Sequence, residues 1–184
     1  MSSSVRLSSR TKVLHLIIAL TMICLMTVGY YMEEFEVFAL YPIHKSFGTL
    51  LLFVASFRVY WRFKQGWPTP LGNVSVIQHA VAKGVHWVLL ISTLLFPLSG
   101  LAMSIGGGNG LSVFGLEIVA QSIDAITGDK IPVNEMVAGV GRRVHATLLW
   151  VVGITLILHI VGAFKHHVID KDETIKRMFS FKNS

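Results

Sequence analysis

The chain has 184 residues, 53% of them hydrophobic and only 14% charged, and a mean hydropathy of +0.63. Charges that sparse beside long apolar runs exclude an ordinary water-soluble domain of this size. The net charge of +6 lies beside those runs, where it marks membrane orientation rather than a nucleic-acid surface, and the single Cys24 supplies neither a disulfide framework nor a thiolate metal site.

Residues 1–12 are polar and carry Arg6, Arg10 and Lys12. The apolar residues 13–32 follow and predict a first membrane helix, with His15 in its first turn. A cleaved signal peptide competes for this basic start, but the apolar stretch is long for one and further spans follow. Glu33, Glu34 and Glu36 make an acidic connection to a second span, expected over 41–61. Pro42 suits its start, His44 comes two residues later, and Lys45 and Arg58 lie near opposite ends, where long side chains snorkel. The run leaves through RVYWRFKQGWPTPLGN, which reads as an interfacial belt and then a loop.

A third span is expected over 80–105, entered from about Val76, with His86 near its start and Pro97 as a kink. His79 falls at the helix entry. The run breaks at Gly106-Gly107-Gly108-Asn109-Gly110, which has neither the GK[ST] nor the preceding strand of a phosphate loop. In the long connection 111–139, LSVFGLEIVAQSI reads as a short amphipathic segment lying on the membrane and TGDKIPVNEM as a turn region. Gly139, Gly141, Arg142 and Arg143 lead into a fourth span over 140–166, and a polar tail of mixed charge ends the chain. The expected architecture is one all-α domain over 1–184, a transmembrane four-helix bundle. Twelve Lys and Arg on the side of the termini against four on the other (Lys45, Lys130, Arg142, Arg143) place both termini in the cytoplasm.

Residues 144–164 contain no Asp, Glu, Lys or Arg, yet hold two histidines, His145 and His159. Their 14-residue separation is almost four full helical turns, so both rings leave one face about 21 Å apart. Histidine in lipid is costly and marks function by default. With four alternating helices, the outer level offers His44 and His145. The inner level offers His15 and His159, with His86 and His166 as competitors. Two imidazoles facing each other across a bundle are what a low-spin haem iron requires. Zinc usually takes a compact set of four ligands, and no Asp or Glu lies in the spans near these histidines. Interhelical hydrogen bonding is the plainer use of a single histidine. Gly48, Gly84, Gly153 and Gly162 suit either a porphyrin or helix packing. Trp87 and Trp150 are candidates to pack on haem edges. Arg142 and Arg143 outside, and Arg10 or Lys12 inside, are candidates for haem propionates; the outer pair and Lys45 also suit an anionic substrate.

The segments VLHLIIAL, IHKSFG, FRVYWR, VHWVLL with LFPLSG, and above all LHIVGAFKHHVIDKDETIKRM resemble the bacterial dihaem cytochromes b of the cytochrome b561 family, over nearly the whole chain. Leu16 follows the first histidine where the family commonly has Trp. The family is similar to the membrane subunits of formate dehydrogenase and nickel-iron hydrogenase, and includes an enzyme that oxidises superoxide and reduces ubiquinone. The resemblance implies two haem b per chain, with iron held by His44 and His145 outside and by His15 and His159 inside. It places His86 and His166 at a quinone or proton site and gives His167 no clear role. The implied function is electron transfer in the bacterial inner membrane, from an outer-side donor such as superoxide to ubiquinone or another membrane quinone. Its alternatives are a haem-containing anchor fed by a partner redox protein, with 111–139 as the docking surface, and a haem-free membrane scaffold or transporter.

Overall fold

The computed structural model describes residues 7–66 and 75–180. The loop expected over WPTPLGN, together with Arg6 and Lys182, lies outside the described residues. Four long helices dominate: α1 (Ser9–Glu34), α2 (Tyr41–Gln65), α3 (Val76–Gly106) and α4 (Glu135–Val168). All four are long and apolar enough to cross a membrane. Three of them, α1, α3 and α4, begin before the apolar run that announces them, because polar residues cap their starts. The Ser8 hydroxyl accepts from the Thr11 N–H, and the Asn134 side chain accepts from the Val137 N–H. Ser75 and Gln78 form a reciprocal capping box that starts α3 at Val76, which places His79 in its first turn. The helix α3 continues through Pro97. A short final helix, α5 (Thr174–Phe179), forms in the tail that sequence reads as merely polar.

The connection after α3 corrects the expectation of a short amphipathic segment lying on the membrane. It forms an antiparallel hairpin of β1 (Leu111–Val113) and β2 (Leu116–Val119), a small addition to an otherwise helical architecture. Phe114 and Gly115, with φ of 49° and 86°, make the two-residue turn whose twist suits a hairpin. Ser46 pins this turn to α2: its hydroxyl donates to the Pro42 carbonyl and accepts from the Phe114 N–H. The Phe47 and Phe114 rings meet edge to face at 5.2 Å. The glycine run before the hairpin is needed for its turns. Gly108 and Gly110 have φ of 76° and 59°, and a side chain on either would strike the backbone of Ile131 or Val119.

Both termini lie at one end of the bundle, where the Lys12 ammonium donates to the Ser180 carbonyl at 2.6 Å. This is the terminal end; the hairpin marks the other. The central core joins all four helices through Ile18, Met22, Leu51, Ala55, Phe96, Leu148 and Val152. Most other apolar side chains on the spans face outward, as a lipid environment favours. The closest backbone approach is between α3 and α4. A Cβ placed on Gly141 would stand 2.6 Å from the Met103 nitrogen and 2.8 Å from the Ser99 oxygen. Gly141→Ala is therefore expected to force the two helices apart and lower stability by about 1–3 kcal/mol. Gly48→Ala meets nothing within 4 Å and is expected to unfold like wild type in the haem-free protein. Thermal unfolding of the two detergent-purified variants checks both.

Candidate functional site

The sequence register of α4 becomes two levels of paired rings. At the hairpin level, His44 of α2 faces His145 of α4, with ring centroids 6.3 Å apart and planes at 76°. At the terminal level, His15 of α1 faces His159 of α4, at 6.1 Å and 70°. Two imidazole nitrogens held about 2 Å from one metal ion put their ring centroids about 6 Å apart. Both pairs have that separation. Ile18 and Met22 follow His15 by one and two turns on α1, and Leu148 and Val152 follow His145 similarly on α4. The buried core thus lies between the levels.

The ring nitrogens of the hairpin pair suit ligation. The His145 Nδ1 lies 3.1 Å from both the Phe96 carbonyl oxygen and the Ser99 Oγ. A carbonyl only accepts, so Nδ1 carries the proton and Nε2 keeps its lone pair for a metal. Ser99 in turn donates to the same Phe96 carbonyl. The buried His44 Nδ1 has no hydrogen-bond partner. Two glycines make room for these rings: a Cβ on Gly29 would be 3.1 Å from the His44 Cε1, and one on Gly100 would be 3.2 Å from the His145 Cε1. Neither glycine stands out in the sequence.

At the terminal level three histidines meet. The His86 centroid is 5.1 Å from that of His159, shorter than for two rings on opposite sides of one ion. His86 also donates from Nδ1 to the Ala82 carbonyl of its own helix at 2.7 Å. His15 receives a different neighbour: the Arg58 Nη2 is 3.2 Å from its Nδ1. Arginine has no acceptor, so Nδ1 accepts and the ring proton sits on Nε2. Sequence spacing could not reveal this pair, which joins residues 43 positions apart on different helices.

A porphyrin also needs volume. A Cβ on Gly48, Gly84 or Gly162 would meet nothing within 4 Å, and one on Gly153 only the Met26 Cε at 3.9 Å. These glycines therefore adjoin open space rather than a tightly packed neighbouring helix. Among the described residues no group of three or more His, Cys, Asp or Glu is arranged to hold a metal ion. At the hairpin level the ring separation, the His145 tautomer and the His44 nitrogen fit a haem between the pair; at the terminal level the ring separation fits one, while the His15 tautomer set by Arg58 would have to change.

Other expected contacts are rearranged. Arg10 stacks over the Trp61 ring at 5.3 Å, and the Lys12 ammonium donates to the Ser180 carbonyl. Trp150 is 67% exposed and faces away from the bundle. At the hairpin end, the Lys45 ammonium donates to the Ser104 hydroxyl at 3.3 Å, and Ser104 donates to the Gly110 carbonyl. Lys130 holds the Asn109 side chain at 2.7 Å. Arg142 and Arg143 are exposed on the first turns of α4. His166, beyond the terminal level, lies 3.1 Å from the Asp170 carboxylate and 3.0 Å from that of Asp172, while His167 is exposed. Burial works to raise the Asp172 carboxyl, but hydrogen bonds from Thr174 and the nearby His166 ring outweigh it and hold it below the usual carboxylate range.

The family model for prokaryotic cytochrome b561 matches residues 6–181. Cytochrome b561 homolog 2 of Escherichia coli (strain K12) is 34% identical over 143 residues, which are 77% of this chain and 71% of that protein.

The depressed Asp172 carboxyl ties the tail to α4 in a pH-dependent way. A carboxylate more acidic in the folded state stabilises above its unfolded pKa, and that contribution is lost as pH falls through the folded value. Asp172→Asn is therefore expected to speed protease cleavage of the tail at pH 7. The difference from wild type should vanish once acid protonates the carboxylate. Limited proteolysis across pH measures both.

Proposed function

The chain belongs to the prokaryotic cytochrome b561 family, and on that premise we propose that it is a dihaem electron carrier of the bacterial inner membrane, delivering electrons to a membrane quinone. The observation that carries the reading is the pair of histidine pairs, 6.3 and 6.1 Å apart, built from one face of α4. Haem b bound at each level would supply a one-electron carrier. His44 and His145 would hold the first iron and His15 and His159 the second. The core residues between them fix the spacing and exclude water.

The positive-inside count puts the termini in the cytoplasm, so the hairpin level is the outer one. There Lys45, Arg142 and Arg143 favour an anionic donor, and superoxide is the one we name first. Two superoxide ions give up one electron each as they become dioxygen, and the quinone takes both electrons with two protons to become quinol. His86, beside His159, and His166, paired with Asp170 and Asp172, suit the handling of those protons at the inner end. A second reading, a membrane anchor fed by a partner redox protein, draws on the outward-facing Phe114, Leu116 and Ile118 of the hairpin.

The purified protein is expected to hold two haems per chain with the split visible absorption of bis-histidine ligation. His145→Ala and His159→Ala should each remove or perturb a different haem in a redox titration. Loss of the same spectral component from both would break the two-level arrangement. Superoxide-dependent quinone reduction by the isolated protein separates the enzyme from the anchor, and no rate above the spontaneous one would sink the enzyme reading.

A further inference from the structure

The two levels differ in the charge that stands beside them. At the hairpin level the neighbours of His145 Nδ1 are a carbonyl and a hydroxyl, both neutral, and His44 Nδ1 has no hydrogen-bond partner. At the terminal level the neighbour of His15 is the Arg58 guanidinium. Arg58 and Arg62, one helical turn apart, line a small cleft with Thr11, Leu14, Trp61 and Gln65, and no acid is among the lining residues. No carboxylate reaches Arg58 within salt-bridge distance among the described residues. Like charges at this spacing repel, and the repulsion is greater away from water. Arg58 is half-buried within a helix that spans the membrane, so its charge is poorly screened.

The cations at the other end are placed differently. Lys45 turns its ammonium onto Ser104, Lys130 onto Asn109, and Arg142 and Arg143 are exposed to solvent screening.

We propose that Arg58 is the positioning charge that makes the terminal-level haem the better electron acceptor of the two and so gives transfer its direction. This rests on the dihaem reading above. A fixed cation in a medium of low dielectric constant favours the oxidation state with the extra electron. The partner of His145 acts in the same sense at the other level. An imidazole that donates its Nδ1 proton to a carbonyl is a more basic ligand, and it favours the ferric state there. A haem held by His44 and His145 would give up one electron and a haem held by His15 and His159 would take it, with no proton moved. Ligation through the His15 Nε2 requires the ring proton on Nδ1, so the guanidinium must leave that atom when iron binds. With no acid in the cleft to draw it away, its charge stays beside that haem.

The test is a redox titration of the haem-loaded wild type, Arg58→Gln and Arg58→Lys, followed in the visible spectrum of each haem. In R58Q the terminal-level midpoint is expected to fall by at least the equivalent of a tenfold change in electron distribution, about 59 mV for one electron. The hairpin-level midpoint should hold, and R58K, which keeps the charge, should keep the wild-type order. An R58Q titration that leaves both midpoints in place, or moves both equally, would overturn the proposal. Loss of the terminal-level haem from both variants would also overturn it, since Arg58 would then serve binding rather than tuning. A wild type without two bis-histidine haems removes the dihaem reading and this proposal with it, and shows before any variant is compared.

Discussion

An imidazole inside a membrane span must find partners for its ring nitrogens, and α4 presents two of them on one face. That constraint organises the bundle. Each ring on α4 is answered by a histidine from another helix, His44 at one depth and His15 at the other, and the apolar core occupies the depth between. The close approach of α3 to α4 at Gly141 and Gly100 serves the same end, because it brings the Phe96 carbonyl and Ser99 to the His145 ring and fixes its tautomer.

The spans were legible because lipid demands long apolar helices, and the two-level arrangement was legible because 14 residues return a helix to nearly the same face. The helix ends were less so. Residues 135–139 include Glu135, and hydropathy alone hides that the Asn134 cap draws them into α4. The hairpin was missed because its turn is Phe114-Gly115 instead of the usual Asn-Gly, and its strands are only three and four residues long. Its stability comes from Ser46, which is 68 residues distant in sequence. Contacts of that kind leave no periodic trace. The same holds for Gly29 and Gly100 behind the ligand rings, and for Arg58 at His15.

The two ends of the bundle are built for different tasks. The hairpin end carries neutral hydrogen-bond partners at its histidines, and its cations lie at the rim, where Lys45 and Lys130 also brace the glycine-rich turn. The terminal end gathers His15, His86 and His159 with Arg58, and beyond them His166 with two carboxylates. Under the proposed dihaem reading, an electron entering at the first end would move toward a cation, and the groups that can carry protons would lie where a quinone needs them.

Iron anomalous scattering from crystals of the haem-loaded protein tests the central claim most directly. The account requires two iron peaks, one between His44 and His145 and one between His15 and His159. A single peak, or a terminal-level peak held by His86 in place of His15, would contradict it.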